Sequence, residues 1–284
     1  MKNRLMKPEL VLDWFEQNKR DLPWRASSPW GVMISEFMLQ QTPVQRVLPK
    51  WHEWIERWPT PADLAASKRS DAISAWGRLG YPRRAVRLHE SAGLIASNFD
   101  NHVPRTIEEL RTLPGVGEYT AAAIASFAYN DNALVLDINI RRFFARQFDG
   151  VESPSASPSQ VERKLRSELI PQSGALWAAA TMELGALVCT ARSPLCVQCP
   201  VMNTCAWRAS GYPKSEIVKR KQAWAGTDRQ CRGQIIQYLR ENKSGEKATL
   251  LALWDENEQS ERALQSLIAD HLIEATGNRF KLAD

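Results

Sequence analysis

Two acidic residues stand alone in apolar surroundings and are the first candidates for chemistry. Glu36 is the only ionisable residue between Pro29 and Gln45. If its helix is buried, desolvation raises the pKa of the carboxyl group and makes Glu36 a general acid near neutral pH. Taken alone, a glutamate on the one solvated edge of an apolar helix is the better explanation, because charged residues are seldom buried.

The second acidic residue, Asp137, lies in the apolar run 134–140, just ahead of a basic segment that begins at Arg141. A helix N-cap explains this position, and an aspartate at a helix N-terminus stays ionised. One protonated and one ionised carboxyl group form the pair that cleaves glycosidic bonds, an acid for the leaving group and an anion for the sugar cation. The two residues together predict this chemistry, and neither predicts it alone.

Four of the five cysteines fall in one compact run, Cys189, Cys196, Cys199 and Cys205. Zinc ribbons usually present two C-x2-C pairs separated by about 15 to 20 residues, and this run does not. One four-iron, four-sulfur (4Fe–4S) cluster fits the spacing better. Random placement would rarely put four unligated cysteines so close together. Cys231 lies outside the run and is not assigned as a ligand.

The segment 113–117 separates two predicted helices, one ending near residue 111 and one beginning near Glu118. Gly115 and Gly117, on either side of Val116, allow a positive φ and the close approach of another backbone. The following helix N-terminus offers free N–H groups to a phosphate. The segment therefore predicts an anchor for the DNA backbone, although a plain tight turn is the favoured alternative for the motif by itself.

Helices must position these groups, because the first 210 or so residues read as consecutive helices with short connections. After Asp228, three predicted helices (229–241, 247–254 and 258–271) and a hairpin around Gly277-Asn278 predict a winged-helix-like module. The fold class is therefore all-α with a small C-terminal winged-helix-like module. No stretch approaches the roughly 20 apolar residues of a membrane span, so we expect a cytoplasmic protein whose thiols stay reduced.

The net charge of +5 is unevenly distributed along the chain. Residues 232–284 contain 7 Lys and Arg against 9 Asp and Glu, so this tail carries −2 and residues 1–231 carry +7. A surface that binds a polyanion therefore lies in the first four fifths of the chain. The third predicted helix of the tail carries Glu258, Glu261 and Asp270 against only Arg262, which favours a structural or protein-contact role for the tail over DNA binding.

As a set, the motifs resemble the endonuclease III superfamily, and most closely its MutY adenine glycosylases, over roughly residues 10 to 210. The resemblance rests on Leu22-Pro23-Trp24-Arg25, Ser35-Glu36-Phe37-Met38-Leu39-Gln40-Gln41-Thr42, Leu79-Gly80-Tyr81, Leu113-Pro114-Gly115-Val116-Gly117, Leu136-Asp137-Ile138-Asn139 and the cysteine run. It implies a two-lobed helix-hairpin-helix glycosylase over 1–213, with a six-helix barrel (about 24–134) and an iron–sulfur domain (1–23 and 135–213). A linker (214–228) and the winged-helix-like module (229–284) would follow.

The resemblance implies a base-excision enzyme that hydrolyses the N-glycosidic bond of adenine mispaired with 8-oxoguanine or guanine. The base would be flipped into a cleft between the lobes, at an unstacking cost of a few kcal/mol. Glu36 would protonate adenine at N7, and Asp137, supported by Asn139, would stabilise the sugar cation or trap it covalently. The other implied roles are substrate contacts, for which ordinary packing is a serious alternative: Gln41 and Thr42 would fill the vacated stack, Leu79 and Tyr81 would probe the opposite strand, and Arg25 and Glu183 would line the adenine pocket.

Three features bear on what this chain does within the superfamily. Tyr119 occupies the position where endonuclease III-like enzymes have a lysine that forms a Schiff base with the sugar and cuts the strand. A phenol cannot form an imine. We therefore predict base removal without efficient lyase activity. Pro82 replaces the second tyrosine that adenine enzymes commonly have after Tyr81. The larger C-terminal domain by which those enzymes recognise 8-oxoguanine is also replaced here, which leaves the preference for 8-oxoguanine open.

Two alternatives remain open. One is a thymine or uracil mismatch glycosylase on the same scaffold; pyrimidines lack N7, and Gln40-Gln41-Thr42 favours adenine. The other is a non-catalytic iron–sulfur DNA-binding protein, which the loss of either carboxylate would favour, and both are present. The expected partner is double-stranded DNA with a mispaired adenine, bound by a monomer associated with the nucleoid, without a nucleotide cofactor or membrane contact.

Overall fold

A computed structural model describes residues 6–171, 173–215 and 225–284 of the chain, and helices dominate it. The helices are, in chain order, α1 (Pro8–Asn18), α2 (Pro29–Leu39), α3 (Val44–Arg57), α4 (Pro61–Ala66), α5 (Arg69–Trp76), α6 (Arg83–Asn98), α7 (Ile107–Leu110), α8 (Glu118–Tyr129), α9 (Ile138–Phe144), α10 (Gln160–Ser167), α11 (Gly174–Leu187), α12 (Ala206–Ala209), α13 (Asp228–Asn242), α14 (Lys247–Leu251) and α15 (Asn257–Ala269). The strands are β1 (Ser244–Glu246), β2 (Ile273–Thr276) and β3 (Arg279–Leu282). The all-α fold class with a small C-terminal module is confirmed.

Local sequence signals account for several helix starts. The first helical residue of α2 is Pro29, whose fixed φ suits that position. Before α4, Thr60 and Asp63 form a reciprocal capping box. The Ser159 hydroxyl accepts a hydrogen bond from the Glu162 N–H at the start of α10. These caps satisfy backbone donors that the first turn of a helix leaves without an internal partner.

The chain divides into two compact units. The first contains residues 1–28, 105–107 and 116–219, and the second contains residues 29–104, 108–115 and 220–284. The predicted domain boundaries near residues 24, 134 and 213 stay predictions. Most of the predicted linker 214–228, at 216–224, lies outside the described residues.

Helix α11 is the centre of the first unit. Both α1 and α9 pack along it, and a five-residue π-helical turn, Ala145–Asp149, extends α9. The rings of Phe144 and Trp177 stack between α9 and α11, with centroids 6.4 Å apart. Gly185 of α11 approaches α9 so closely that an added Cβ would lie 2.6 Å from the Asn139 carbonyl oxygen. Only glycine therefore permits this contact between the two helices.

In the second unit, α2 packs on α3, and α4 and α5 pack on α6. Trp54 and Trp76 are fully buried, and their rings meet edge to face with centroids 5.4 Å apart. The Trp51 indole N–H donates to the Gly31 carbonyl at 2.8 Å, which ties α3 to the first turn of α2. Helix α2 is buried along most of its length.

The C-terminal module consists of α13, α14, α15 and a three-stranded antiparallel sheet with the order β1-β3-β2. The predicted hairpin is confirmed: Thr276 pairs with Arg279 across a turn in which Gly277 has φ +61°. Its apolar core contains residues of α13, α15 and the sheet, and it also includes Ile73 of α5 and Val86 of α6. The module therefore shares one core with the helices of its own unit.

Among the described residues, no helix has both the length and the apolar character that a membrane crossing requires.

Candidate active site and DNA interface

Glu36 lies in the middle of α2 and is 6% exposed. Its neighbours in the helix, from Met33 to Met38, are buried as well. The acid hypothesis required such burial, and the alternative of a solvated helix edge does not apply. Because Glu36 belongs to the second unit and Asp137 to the first, their convergence on one substrate stays a prediction.

Asp137 caps the N-terminus of α9, as predicted. One carboxylate oxygen accepts the Ile140 N–H at 2.6 Å, and the other accepts the Asn139 amide Nδ2–H, also at 2.6 Å. Both oxygens are therefore engaged by donors, the arrangement that suits an ionised, acceptor-only carboxylate. The structure thus brings together two of the predicted catalytic residues, Asp137 and Asn139.

The protonation of Asp137 is set by opposing effects. Burial raises the pKa of its carboxyl group, and this effect exceeds the lowering by the hydrogen bonds from Ile140 and Asn139 and by the charge of Arg142. The pKa of Asp137 is therefore raised, whereas the helix N-terminus alone would lower it. The reason is that the N-cap position also removes the carboxyl group from water.

Arg142, which the sequence analysis did not single out, fixes the orientation of Asn139. Its Nη2 donates to the Asn139 side-chain oxygen at 2.8 Å and to the Gly185 carbonyl at 2.6 Å, and its Nε donates to the Cys189 carbonyl at 2.7 Å. Because the amide oxygen of Asn139 accepts from Arg142, its NH2 group must face Asp137. A continuous set of hydrogen bonds thus connects Cys189 with the Asp137 carboxylate.

Glu183, on α11, is 2% exposed and is bound by two arginines. Arg20 donates to both carboxylate oxygens at 2.8 Å, and Arg25 reaches one of them at 3.0 Å. Burial raises the pKa of Glu183, but the hydrogen bonds from Arg20 and the charge of Arg25 outweigh it and lower the pKa. Arg25 and Glu183 are therefore in direct contact, and their place in an adenine pocket stays a prediction. The stronger partner, Arg20, was missed by the sequence analysis.

The segments 40–42 and 79–81 lie side by side in the second unit. Gln41 and Tyr81 are exposed and have left-handed backbones, with φ +55° and +48°. Thr42 and Leu79 are buried, and the Thr42 hydroxyl donates to the Leu79 carbonyl at 3.2 Å. A left-handed non-glycine residue is an uncommon backbone state that persists only where the surroundings enforce it. Gln41 and Tyr81 are thus presented to solvent by a strained backbone over two buried neighbours.

A buried arginine of α6, Arg84, holds both segments. Its side chain donates to the carbonyls of Phe37 (2.8 Å), Met38 (3.0 Å), Gln40 (2.7 Å), Leu79 (3.4 Å) and Gly80 (3.0 Å), and to the Thr42 hydroxyl (3.2 Å). Several of these carbonyls end α2 and have no partner within the helix. One guanidinium therefore fixes the end of α2 and the 79–81 segment relative to each other.

The predicted hairpin has the expected backbone. Gly115 has φ +81°, and a Cβ there would lie 2.8 Å from the Arg87 Cβ and 3.0 Å from the Phe37 ring. Gly117 is the N-cap of α8, at φ −88° and ψ −178°, so the first N–H groups of α8 follow it directly. Val116 is buried between the two glycines. Tyr119 is the second residue of α8 and is half-buried.

Cys189, Cys196, Cys199 and Cys205 line one cavity of the first unit. Arg146, which is buried, donates to the Thr190 carbonyl at 2.7 Å and approaches the Cys189 sulfur at 3.4 Å. Its guanidinium also lies 4.6 Å from the centroid of the Trp207 ring. The segment from Cys189 is thus held by buried contacts from α9 and its π-helical extension.

The donor set suits a cluster rather than a single ion. Within 6–171, 173–215 and 225–284, no three cysteine, histidine or acidic side chains are placed to hold one metal ion. A zinc ion would draw four sulfurs to about 2.3 Å from one point, whereas a cubane spreads its four thiolates over separate irons. Burial, together with the neighbouring cysteines, raises the pKa of Cys199 to about 12. A cationic centre would lower the pKa of these thiols so that they bind as thiolates, and a 4Fe–4S cluster is the group that fits this donor set.

Comparisons with known proteins agree with this geometry. Residues 34–171 match the model of the HhH-GPD superfamily base excision DNA repair proteins, and residues 189–205 match the iron-sulfur binding domain of endonuclease III. The adenine DNA glycosylase of Mycolicibacterium smegmatis is 47% identical over 283 residues, with 97% of this chain and 96% of that protein covered. The human adenine DNA glycosylase is 40% identical over 70% of this chain and 38% of its own length.

Among solved structures, a thermostable thymine-DNA glycosylase superposes with a TM-score of 0.66 at 25% identity, covering 72% of this chain and 95% of its own. This likeness extends to the fold of the glycosylase part. The near full-length match to the mycobacterial protein, in contrast, includes the C-terminal module. The chain belongs to the HhH-GPD superfamily of base excision DNA repair proteins, in its family of MutY-type adenine DNA glycosylases.

Proposed function

We propose that this protein removes adenine from duplex DNA in which the adenine is mispaired with 8-oxoguanine or guanine, and that it leaves the strand uncut. The observation that carries the proposal is the Asp137 carboxylate, held by Ile140 and Asn139 at the start of α9. The buried acid Glu36 in α2 supplies the other half of the required pair. The family to which the chain belongs supports adenine as the base.

In the proposed reaction, Glu36 donates its proton to N7 of adenine. The bond between C1′ and N9 then breaks, its electron pair stays with the base, and positive charge develops on the sugar. Asp137 stabilises this cation, and a water molecule adds to C1′ and returns a proton to Glu36. Protonation of the leaving group and stabilisation of the cation are the two effects that lower the barrier.

Asn139 and Arg142 serve Asp137 rather than the substrate. The Arg142 guanidinium fixes the Asn139 amide, and the amide holds one carboxylate oxygen. The carboxylate is therefore preorganised before any charge develops, so little reorganisation accompanies the reaction. The buried ion pairs of Glu183 with Arg20 and Arg25 support a further role, the shaping of a rigid polar wall for the adenine pocket.

DNA engagement rests on the second unit and on the hairpin. The exposed Gln41 and Tyr81 are the side chains we assign to the vacated stack and to the opposite strand. Flipping the base costs a few kcal/mol, least at a mispair, and intercalated side chains offset part of that cost. Gly115 and Gly117 let the backbone of the hairpin approach a phosphate. Thr42 and Leu79 are buried and would first have to move in order to contact DNA.

Tyr119 supports a glycosylase without strand cleavage, since a phenol cannot form the Schiff base that a lyase needs. The cluster has a structural role, because its cysteines are joined to α9 by Arg142 and Arg146. We further propose a monomer that acts at the nucleoid without a nucleotide cofactor.

Single-turnover cleavage of labelled duplexes that contain A·8-oxoG, A·G, T·G or U·G tests the proposal. Excision of adenine, with strand breaks only after hot alkali, is the expected result. Release of thymine or uracil but not adenine would replace the proposal with a pyrimidine mismatch glycosylase. Strand breaks before alkali would refute the Tyr119 argument.

A matched pair of variants tests the catalytic carboxylate. Asp137→Asn keeps a helix cap but removes the negative charge, so excision should fall below detection while duplex binding is retained. Asp131→Asn changes an exposed aspartate of the same unit and should leave both properties unchanged. Normal turnover by the Asp137→Asn protein would remove Asp137 from the mechanism.

A further inference from the structure

We propose that Arg229, in the C-terminal module, is a positioning residue for Tyr81, so that this module adjusts how strongly adenine excision depends on the opposite base. The inference rests on the proposed function, in which Tyr81 contacts the opposite strand. Its starting point is one contact: the Arg229 guanidinium lies over the Tyr81 ring, 4.1 Å from the ring centroid.

The backbone of Tyr81 is fixed by Trp76 and Arg84, whereas its ring is partly exposed. Trp76 Nε1 donates to the Gly80 carbonyl at 2.9 Å, and the Arg84 N–H donates to the Tyr81 carbonyl at 2.9 Å. These bonds set where the side chain begins. The ring itself is 38% exposed, and the Arg84 guanidinium lies farther from it, at 5.4 Å. Of the two guanidinium groups, Arg229 is therefore the one placed to restrict the ring.

The start of α13 does not itself favour a cation at Arg229. Thr227 is the N-cap of α13, so Arg229 lies in the first helical turn. The partial positive charge of a helix N-terminus disfavours a cation there. The contact with Tyr81 supplies a favourable interaction that the helix does not, because the face of an aromatic ring attracts a guanidinium.

The module is attached to the helices on both sides of Tyr81, which lets Arg229 act as a fixed group. Arg240 of α13 donates to the Ile73 carbonyl of α5 at 3.0 Å through Nη2. Asp270 accepts from Arg83 of α6 at 3.3 Å and from Arg232 of α13 at 2.5 Å. Ile73 and Val86 lie in the apolar core of the module. The 79–81 segment, between α5 and α6, is thus flanked by two helices that the module holds.

The acidic character of the module agrees with this assignment. Its tail beyond residue 231 carries more Asp and Glu than Lys and Arg, so a broad DNA-binding surface is disfavoured. A single arginine that acts through Tyr81 needs no such surface. The mycobacterial relative matches this chain along nearly its whole length, so the match extends through the module.

The test compares Arg229→Ala, Tyr81→Ala and the double variant with the wild type. Single-turnover excision and equilibrium binding are measured on duplexes with adenine opposite 8-oxoguanine or guanine. Arg229→Ala should move the ratio between the two opposite bases toward one by about two- to fivefold, the range that a cation–π contact at an exposed site supports. In the Tyr81→Ala background the same change should have no further effect, because Arg229 acts only through that ring.

Arg262→Ala is the matched control, since it removes one exposed arginine of the same module that pairs with Asp228 at 3.4 Å. It should leave the ratio unchanged. The salt dependence of binding separates a direct phosphate contact from the proposed role: loss of such a contact lowers the slope by about one, whereas loss of a ring contact does not. Additive effects of Arg229→Ala and Tyr81→Ala, or a slope lowered by one, would overturn the inference.

Failure of the proposed function would look different. A wild-type protein that binds these duplexes but excises no adenine would refute adenine excision, and the binding ratios would still decide the role of Arg229. Excision by the wild type with an Arg229→Ala ratio equal to that of Arg262→Ala would refute the role of Arg229 alone.

Discussion

Arg84 holds the segments 40–42 and 79–81, which we propose contact DNA, and its loss should disrupt both. It donates to the carbonyls of Phe37, Met38, Gln40 and Gly80 from a position that is 9% exposed. Hydrogen bonds from a charged donor contribute about 1.5 to 3 kcal/mol each, so four would contribute roughly 6 to 12 kcal/mol if they were additive. Burial opposes this by lowering the pKa of Arg84 to about 10, which corresponds to roughly 3 kcal/mol.

The net cost follows from these opposing contributions. Arg84→Met keeps the apolar stem of the side chain and removes every donor, leaving the carbonyls that end α2 without their partner. We expect the free energy of unfolding to fall by roughly 3 to 9 kcal/mol, the roughly 6 to 12 kcal/mol of the hydrogen bonds less the roughly 3 kcal/mol that burial costs. For a chain of this size the melting temperature should fall by roughly 2 to 4 °C per kcal/mol. Adenine excision should fall as well, because the segments at Gln41 and Tyr81 lose their common support.

Calorimetry or thermal circular dichroism measures the stability change, and Arg87→Ala is the matched control on the same helix. Arg87 is exposed and pairs with Glu90 at 3.2 Å, and such pairs are worth about 1 kcal/mol or less. Alanine also retains the Cβ that packs against Gly115. If the Arg84→Met protein melted as the Arg87→Ala protein does, the role given to the buried guanidinium would be refuted.

Three further changes test separate parts of the site. The Asp137→Asn protein should be more stable than the wild type at neutral pH, because burial raises the pKa of Asp137. The wild type loses stability as the pH rises from about 4, the pKa of this residue in the unfolded chain, through its higher pKa in the folded protein. Thermal melting across this range should show the difference growing with pH, and a constant difference would contradict it. Tyr119→Lys should produce strand breaks without alkali on a denaturing gel, because an amine can form the Schiff base; intact strands after complete base removal would contradict the prediction. Cys199→Ser should abolish the visible absorbance and the bound iron of the cluster, whereas Cys231→Ser, outside the cavity, should retain both; full iron content in the Cys199→Ser protein would contradict the ligand set.

The parts of the fold that the sequence predicted are those with short-range causes. Asp137 caps α9 because an oxygen three residues before a free N–H can reach it. The turn at Gly277 forms because two alternating segments flank a residue that tolerates a positive φ. The spacing of the cysteine run likewise reflects how far a short chain segment can reach around one cluster. In each case the partners lie within a few residues, so the pattern is visible in the sequence.

The buried arginines could not be predicted in the same way. Basic residues were assigned to a surface that binds a polyanion, yet Arg84, Arg142 and Arg146 are buried and donate to main-chain carbonyls. Many of their acceptors lie more than 40 residues away in the sequence, so composition gives no sign of them. Only Arg142 left a local signal, since Asn139 lies three residues earlier on the same helix face. A buried guanidinium also cannot contact a phosphate, so the charge of residues 1–231 overstates the DNA-binding surface.

Of the predicted DNA contacts, the structure separates exposed from buried positions. Gln41 and Tyr81 have left-handed backbones and reach solvent, whereas Thr42 and Leu79 are buried beneath them. All four lie in motifs of equal strength in the sequence, because a motif records which residues occur together and not which way each side chain points. The strained backbone, in contrast, is a property of the folded chain, and it marks the two residues that are presented outward.

The charge of Asp137 shows how the fold and the reaction depend on each other. In the free protein, burial makes the ionised carboxylate costly, and the donors from Ile140 and Asn139 compensate for only part of that cost. A cation developing at C1′ attracts only the ionised form, so the remaining cost is relieved in the transition state and not in the complex with intact substrate. The attraction is therefore stronger in the transition state than in the complex with intact substrate, which is the condition for accelerating the reaction. The cost of the buried charge and its attraction to the sugar cation together explain why the neutral Asn variant should gain stability and lose turnover.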